Sequence, residues 1–324
     1  MLHVLLDQQK TTNGSPIMPP KTVVDCVRRL YSQRNPEIRC LLPVVIGLTR
    51  TEVLAALPSI VQLQDRLVKE IISRLLRASV ECQAIPRADG TIDDCDRKLG
   101  PISPEDLVVA IHQLEFVQMQ KESADSTEPD AKNKLELKLI LRACLHCFAE
   151  KKFYTQERLS LAISQLVQLD PVPTLTMRTV MQALALYPRL AGLVITVLAR
   201  LAHKQVRSSH IWKNSALWDG FVRCCMKTRP QCFQVLFLLP TEQLESVFLK
   251  ESSLRQHMLR HVENLSNAQR QQIPDSVMEL LQHEPEQQQQ QKEQTAPDDE
   301  VNGHKRHAPS HEDEPEPKIS ALDS

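Results

Sequence analysis

The chain has 324 residues, of which 42% are apolar and 4% aromatic, with 7 glycines and 21 prolines. Few aromatic and glycine residues argue against a β-sandwich or barrel, and the scattered glycines form no phosphate-binding cluster. The formal net charge of −1 conceals an acidic end, because residues 285–324 hold ten Asp/Glu and four Lys/Arg, which leaves 30 Asp/Glu and 35 Lys/Arg on residues 1–284. What remains is a leucine-rich, helix-rich protein with a mildly basic body.

Export and membrane insertion are not expected. The apolar run at Met1 to Leu6 is too short for a secretory signal and is followed at once by Asp7. No stretch reaches the roughly 18 uninterrupted apolar residues that a membrane span needs. Nine cysteines at irregular spacing predict free, mostly buried thiols in an intracellular protein.

The N-terminal part begins with a polar, proline-containing stretch, and residues 1–20 are predicted to be flexible. From Lys21 onward apolar residues recur at helical spacing. Pro36 and Pro43 are expected to break the chain after the first helix. Residues 83–101, with two glycines and two prolines, are predicted to be a loop.

Local start signals predict where the next helices begin. Thr49 and Glu52 are spaced as a capping box, in which each side chain reaches the other residue's backbone N–H. Ser103 followed by Pro104 combines an N-cap with a proline at the first helical position. Residues 121–132 are polar and are predicted to be a mobile insertion.

The C-terminal half continues as amphipathic helices, predicted near residues 133–151, 156–169, 174–187, 189–206 and 215–228, with further starts at Thr241, Ser252 and Ser266. The helical domain is expected to cover residues 21–284. The Gln-rich, acidic tail 285–324 holds too few apolar residues to offset its ordering entropy, so it is predicted to be disordered. The pattern favours an all-α, HEAT/armadillo-like array, an irregular α-solenoid, with a closed helical bundle as the alternative.

Cysteine and histidine clusters offer the only metal-like patterns. Cys144 and Cys147 share a helix face beside His146, but a structural zinc site needs four ligands and no partner motif appears. Cysteines among apolar helix residues are usually part of the core. Cys224 and Cys225 point about 100° apart on a helix, which predicts one thiol inward and one outward. No metal and no cofactor are therefore expected.

Catalytic motifs are not evident either. The sequence contains no G-x-S-x-G and no Cys/His pairing in a Gly-rich setting. His112 and His146 lie on apolar helices and are predicted to be structural histidines. The sequence thus favours a protein that is not an enzyme and has no small-molecule substrate.

The segment 206–239 is the most unusual, because it holds both tryptophans, three of the seven phenylalanines and several basic residues. Trp and Arg dominate the energetics of protein interfaces. The alternative is that Trp212, Trp218 and Phe221 fill the core between helices. Candidate partner-binding residues, with two basic residues that precede the segment, are Arg189, Lys204, Trp212, Lys213, Trp218, Arg223, Lys227 and Arg229.

Several blocks resemble the C-terminal domain of the symplekin family. They are residues 177–182 (MRTVMQ), 187–190 (YPRL), 204–206 (KQV), 212–213 (WK), 217–225 (LWDGFVRCC) and 229–235 (RPQCFQV), with weaker similarity at 54–58, 147–150 and 272–278. Family members run directly from KQV into WK, whereas residues 207–211 intervene here. Five extra residues exceed one helical turn, so we expect them either to rotate Trp212 or to bulge out as a loop.

The resemblance implies a non-catalytic scaffold of the nuclear pre-mRNA 3′-end cleavage and polyadenylation machinery. The implied partners are subunits of the cleavage and polyadenylation specificity factor, including its metallo-β-lactamase-type endonuclease, and the cleavage stimulation factor. RNA contact would be indirect and no membrane is involved. Because symplekin-like proteins are longer, with an N-terminal helical-repeat domain, a short or truncated form is expected. The alternative function is a direct RNA-binding module that uses the basic and aromatic segment.

Overall fold

A computed structural model of the protein describes residues 19–34, 38–84, 102–122, 129–207 and 210–282. Within these ranges the chain forms fifteen α-helices, two 3-10 helices and no β-strand. The predicted all-α fold class is confirmed. Nearly all of the N-terminal stretch 1–20, most of the loop 83–101 and the whole tail 285–324 lie outside the described residues, so what we predict for them stays a prediction.

The helices follow one another with short connections. They are α1 (Lys21–Arg34), α2 (Arg50–Val61), α3 (Asp65–Ala84), α4 (Pro104–Glu122), α5 (Pro129–Ala149), α6 (Gln156–Gln168), α7 (Thr176–Leu186), α8 (Ala191–Arg207), α9 (His210–Lys213), α10 (Ser215–Lys227), α11 (Phe233–Leu236), α12 (Thr241–Lys250), α13 (Ser252–Glu263), α14 (Asn267–Arg270) and α15 (Asp275–Gln282). The 3-10 helices are Ile38–Gly47 and Pro188–Leu190.

Side-chain caps fix several helix starts where the sequence predicts them. The Thr49 hydroxyl accepts from the Glu52 backbone N–H, and the Glu52 carboxylate accepts in return from the Thr49 N–H at 2.7 Å, which completes the capping box of α2. The Ser103 hydroxyl accepts from the Asp106 N–H at 3.2 Å at the start of α4. Thr155 caps α6 in the same way. These caps satisfy amide donors that a helix start would otherwise leave unpaired.

The region of the two early prolines differs from the prediction. Instead of a break, residues Ile38–Gly47 form a 3-10 helix with Pro43 inside it. Proline fits a 3-10 turn because its fixed φ lies close to the 3-10 value. Leu41, Leu42, Val44, Val45 and Ile46 are buried in this helix, so it belongs to the hydrophobic core.

The helices pack as an array in which each one mainly contacts helices close to it in the chain. The principal pairs lie within three α-helices of each other, as for α4 with α5 and α6, α6 with α7, α7 with α10, and α12 with α13. One continuous cluster of buried apolar side chains extends from Val24 to Leu281. Such neighbour-to-neighbour packing is the property of a helical repeat array.

The predicted polar insertion 121–132 is approached by helix on both sides. Helix α4 continues to Glu122 and α5 begins at Pro129, while residues 123–128 lie outside the described part of the chain. None of the described helices is long and apolar enough to cross a lipid bilayer.

Both ring nitrogens of the buried His112 are hydrogen-bonded. Because a carbonyl oxygen only accepts, Nδ1 carries the proton and donates to the Val108 oxygen at 2.8 Å. Nε2 accepts from the Thr179 hydroxyl at 2.9 Å, which joins α4 to α7. The structural role predicted for His112 agrees with this geometry, and burial lowers the pKa of the imidazole to about 4.

Candidate functional site

The two tryptophans and a phenylalanine of the segment 206–239 form one aromatic cluster. The ring of Trp212 meets Trp218 edge-on with centroids 4.4 Å apart, and Trp218 stacks on Phe221 at 5.2 Å. The Trp218 indole N–H donates to the Ser246 hydroxyl at 3.1 Å. The cluster therefore joins α9, α10 and α12, and the four-residue helix α9 is held by its packing on α10.

Trp218 is a core residue, which corrects its selection as a partner-binding candidate. Its side chain is only 4% exposed, and Phe221 next to it is 1% exposed. The apolar face of α10 turns both rings inward, and the polar indole N–H is already paired. Trp212 is half-buried against the same cluster. The alternative weighed from the sequence, that the aromatic residues fill the core, describes Trp218 and Phe221.

The basic candidates are mostly at the surface. Lys213, Arg223 and Lys227 are exposed, and Arg189 is exposed on the 3-10 helix before α8. Arg223 and Lys227 lie four residues apart on α10 and so project from the same side of this helix. These two cations form the start of a shared surface.

The other two basic candidates contribute differently. Arg229 is half-buried, and its Nε donates to the Met226 carbonyl oxygen at 3.0 Å, so part of its guanidinium is engaged within the domain. Lys204 lies within α8, and its side chain is not among those described. The intervening residues 207–211 continue α8 to Arg207 and enter α9 at His210, with residues 208–209 outside the described part.

A chain of hydrogen bonds fixes where α10 starts. The Asn214 side-chain oxygen accepts from the backbone N–H groups of Ala216 and Leu217, and its amide group donates to the Thr174 hydroxyl at 2.8 Å. The Thr174 N–H and hydroxyl both donate to the Glu115 carboxylate. This relay ties α4, the start of α7 and the start of α10 together.

A close backbone approach holds α10 against α7. A Cβ built at Gly220 would overlap the Cβ of Met177 and lie 3.3 Å from its Cγ. Glycine is therefore required at this position for steric reasons, because any larger residue would push the two helices apart. The exposed side of α10 is presented from a helix that is fixed at its start by Asn214 and along its length by this contact.

Further residues beside α10 were not found from the sequence. The Lys250 ammonium at the end of α12 contacts the Asp219 carboxylate of α10 at 2.5 Å. Ser253 at the start of α13 donates to the Met226 sulfur at 3.8 Å. These contacts span 27 and 31 residues of chain, so no local spacing reveals them.

The cysteines are buried and held in the neutral form. Burial raises the pKa of Cys144 well above its usual value and that of Cys147 to about 12, and a thiol must lose its proton to bind a metal. Among the described residues, no group of three His, Cys, Asp or Glu side chains is arranged to hold a metal ion.

Cys224 and Cys225 do not divide between core and surface as predicted. Both are fully buried, because α10 packs between α7 on one side and the elements after Thr228 on the other. The thiol of Cys232 donates to the Cys225 carbonyl oxygen at 3.1 Å, which closes the turn that follows α10.

Residues 37–251 match the family model described as symplekin tight junction protein C terminal. The chain belongs to the symplekin C-terminal family. The match extends from the first 3-10 helix to the end of α12 and contains the whole aromatic cluster and the surface of α10. No solved structure matches the chain. Symplekin C-terminal domains are of scaffold type, which supports a non-catalytic role in a processing complex.

Proposed function

We propose that this protein is a non-catalytic scaffold that helps to assemble the nuclear pre-mRNA 3′-end cleavage and polyadenylation machinery by binding its protein subunits. Membership of the symplekin C-terminal family is the observation that carries the proposal. The proposed partners are subunits of the cleavage and polyadenylation specificity factor, including its endonuclease, and the cleavage stimulation factor.

The physical character of the domain supports such a role. Its helices share one continuous core and leave their polar faces outward, so the array presents a long surface without requiring a cleft. Caps, the Glu115–Thr174–Asn214 relay and the close contact at Gly220 hold neighbouring helices in register. A surface that is ordered before binding costs less entropy when a partner docks.

A pull-down from nuclear extract tests the proposal. The tagged full chain, with its fold checked by circular dichroism, is expected to recover endonuclease and cleavage stimulation factor subunits. A core variant, Phe221→Asp, serves as the control, because a buried charge unfolds the domain and should abolish recovery. A folded bait that recovers none of these subunits would contradict the proposal. The same chain carrying a fluorescent tag is expected to accumulate in the nucleus.

Direct RNA binding is the second candidate function, and the exposed pair Arg223 and Lys227 is the observation that favours it. Contacts to phosphates release counterions, so the logarithm of the binding constant would fall steeply with the logarithm of the salt concentration. Titration of a single-stranded RNA at several salt concentrations distinguishes this function, since a flat response or no binding at low salt removes it.

A further inference from the structure

Charge is distributed very unevenly around α7 to α10. Residues 171–240 contain nine Lys/Arg and a single acidic residue, Asp219, although the whole chain holds nearly equal numbers of the two kinds. Six of these cations have exposed side chains: Arg178, Arg189, Arg200, Lys213, Arg223 and Lys227. In the N-terminal half, by contrast, arginines pair with carboxylates, as Arg28 does with Glu52 and Arg50 with Asp106.

The exposed side of α10 concentrates this charge in a line. Ser215, Asp219, Arg223 and Lys227 recur every four residues and so follow one ridge along the helix. The carboxylate of Asp219 is neutralised by Lys250. In the described part of the chain, no carboxylate forms a salt bridge with Arg223 or Lys227. We call Asp219, Arg223, Lys227, Lys250 and the neighbouring Leu249 the α10 ridge.

An apolar side chain accompanies these cations. Leu249 is 82% exposed, the highest value among the described large apolar residues, and it directly precedes Lys250 in α12. Because Lys250 reaches Asp219, Leu249 lies close to the charged line on α10. A leucine held almost fully in water beside unpaired cations indicates a surface that a partner covers, since covering it removes apolar area from water.

The chemistry of the ridge favours a protein partner over RNA. Proteins that bind single-stranded RNA stack its bases on exposed aromatic side chains. Here the nearby aromatic rings of Trp218 and Phe221 are buried, and Trp212 packs on them. The exposed apolar residue is aliphatic, and it matches an aliphatic or aromatic side chain of a protein.

We propose that the α10 ridge binds an acidic segment of a partner protein, whose carboxylates pair with Arg223 and Lys227 and whose apolar residue covers Leu249. The inference rests on the proposed scaffold function and names the chemistry of one of its partners. The cations lie about 6 Å apart along the helix, which is close enough for two carboxylates of one peptide to reach both. The ordered ridge needs no rearrangement before binding.

Fluorescence anisotropy with a labelled peptide in which Glu and Asp flank two leucines tests the inference on the full chain. We expect binding that weakens as salt is added, because exposed ion pairs are screened. A peptide with every Glu and Asp replaced by Gln and Asn should bind at least about tenfold more weakly. A length-matched single-stranded RNA should bind more weakly than the acidic peptide, and stronger binding of the RNA would overturn the inference.

Three variants assign the binding to the ridge. Arg223→Glu/Lys227→Glu should weaken binding of the acidic peptide at least about tenfold, while Arg66→Glu/Arg77→Glu, an equal change of net charge at exposed positions of α3, should not. Leu249→Ser should weaken binding by an amount that salt does not change, because its contribution is apolar. All three variants change exposed residues and should keep the wild-type circular dichroism spectrum.

Two results separate failure of this inference from failure of the proposed function. If the wild-type chain and Arg223→Glu/Lys227→Glu recover the same subunits from nuclear extract, and the acidic peptide does not bind, the scaffold role stands and the ridge inference is wrong. If the wild-type chain recovers no subunit although it binds the peptide, the proposed function is wrong.

Discussion

The buried imidazole of His112 should make the stability of the domain depend on pH. The pKa of this group is lowered from 6.5 to about 4 by burial, and its hydrogen bond to Val108 opposes the shift only partly. The neutral form is favoured in the folded state, so the full stability is present above pH 6.5 and is lost as the pH falls toward 4. Below pH 6.5 the unfolded chain binds a proton that the folded chain does not.

The size of the effect follows from the two pKa values. Each unit of difference corresponds to about 1.4 kcal/mol, so the free energy of unfolding should fall by about 3 kcal/mol between pH 7.5 and pH 4 through this residue alone. This loss is a large fraction of the ~5–15 kcal/mol that stabilises a typical domain. No carboxylate contacts the ring in the described structure, since its partners are Val108, Thr179 and the neutral thiol of Cys144.

Urea unfolding followed by circular dichroism at a series of pH values measures this dependence. Other groups also titrate in the range, so the comparison is with His112→Gln, which removes the proton-binding ring and keeps a side chain able to form hydrogen bonds. The variant should be less stable at pH 7.5 but should lose about 3 kcal/mol less than the wild type on acidification. Parallel stability curves for the two proteins would refute the reasoning.

Three further substitutions test the packing of α10 by the same unfolding measurement. Gly220→Ala should lower the free energy of unfolding by about 1–3 kcal/mol because its Cβ meets Met177, whereas Gly192→Ala, with open space around it, should stabilise by up to about 1 kcal/mol; equal effects would contradict the close contact. Trp218→Ala should cost about 3–5 kcal/mol, and an unchanged melting temperature would place the ring at the surface. Asn214→Ala should cost about 1–2 kcal/mol through loss of the cap, which a wild-type midpoint would exclude.

The helix starts could be read from the sequence because capping is local. Thr49 and Glu52, or Ser103 and Asp106, lie three residues apart, and the physics that joins them depends on little else. The 3-10 helix Ile38–Gly47 was missed because two prolines normally indicate a break, and only burial of its apolar side chains by neighbouring helices stabilises the tighter helix.

The candidate surface was predicted less completely. Arg223 and Lys227 are exposed as expected from a basic pair on an amphipathic helix. Which side of α10 faces the core depends on helices elsewhere in the chain, so the burial of Trp218 was open at the level of sequence. The pairing of Asp219 with Lys250 is a tertiary contact between distant residues, and without it the excess of positive charge on the ridge is invisible.

The contact between Gly220 and Met177 has a consequence for how the domain responds to force. Two helices whose backbones touch through a residue without a side chain interlock like a notch and a tooth, so neither slides along the other without climbing over a neighbour. Tension applied to a docked partner is therefore passed from α10 directly into α7 and the layers behind it. A protein that keeps several other proteins at fixed spacing benefits from such stiffness.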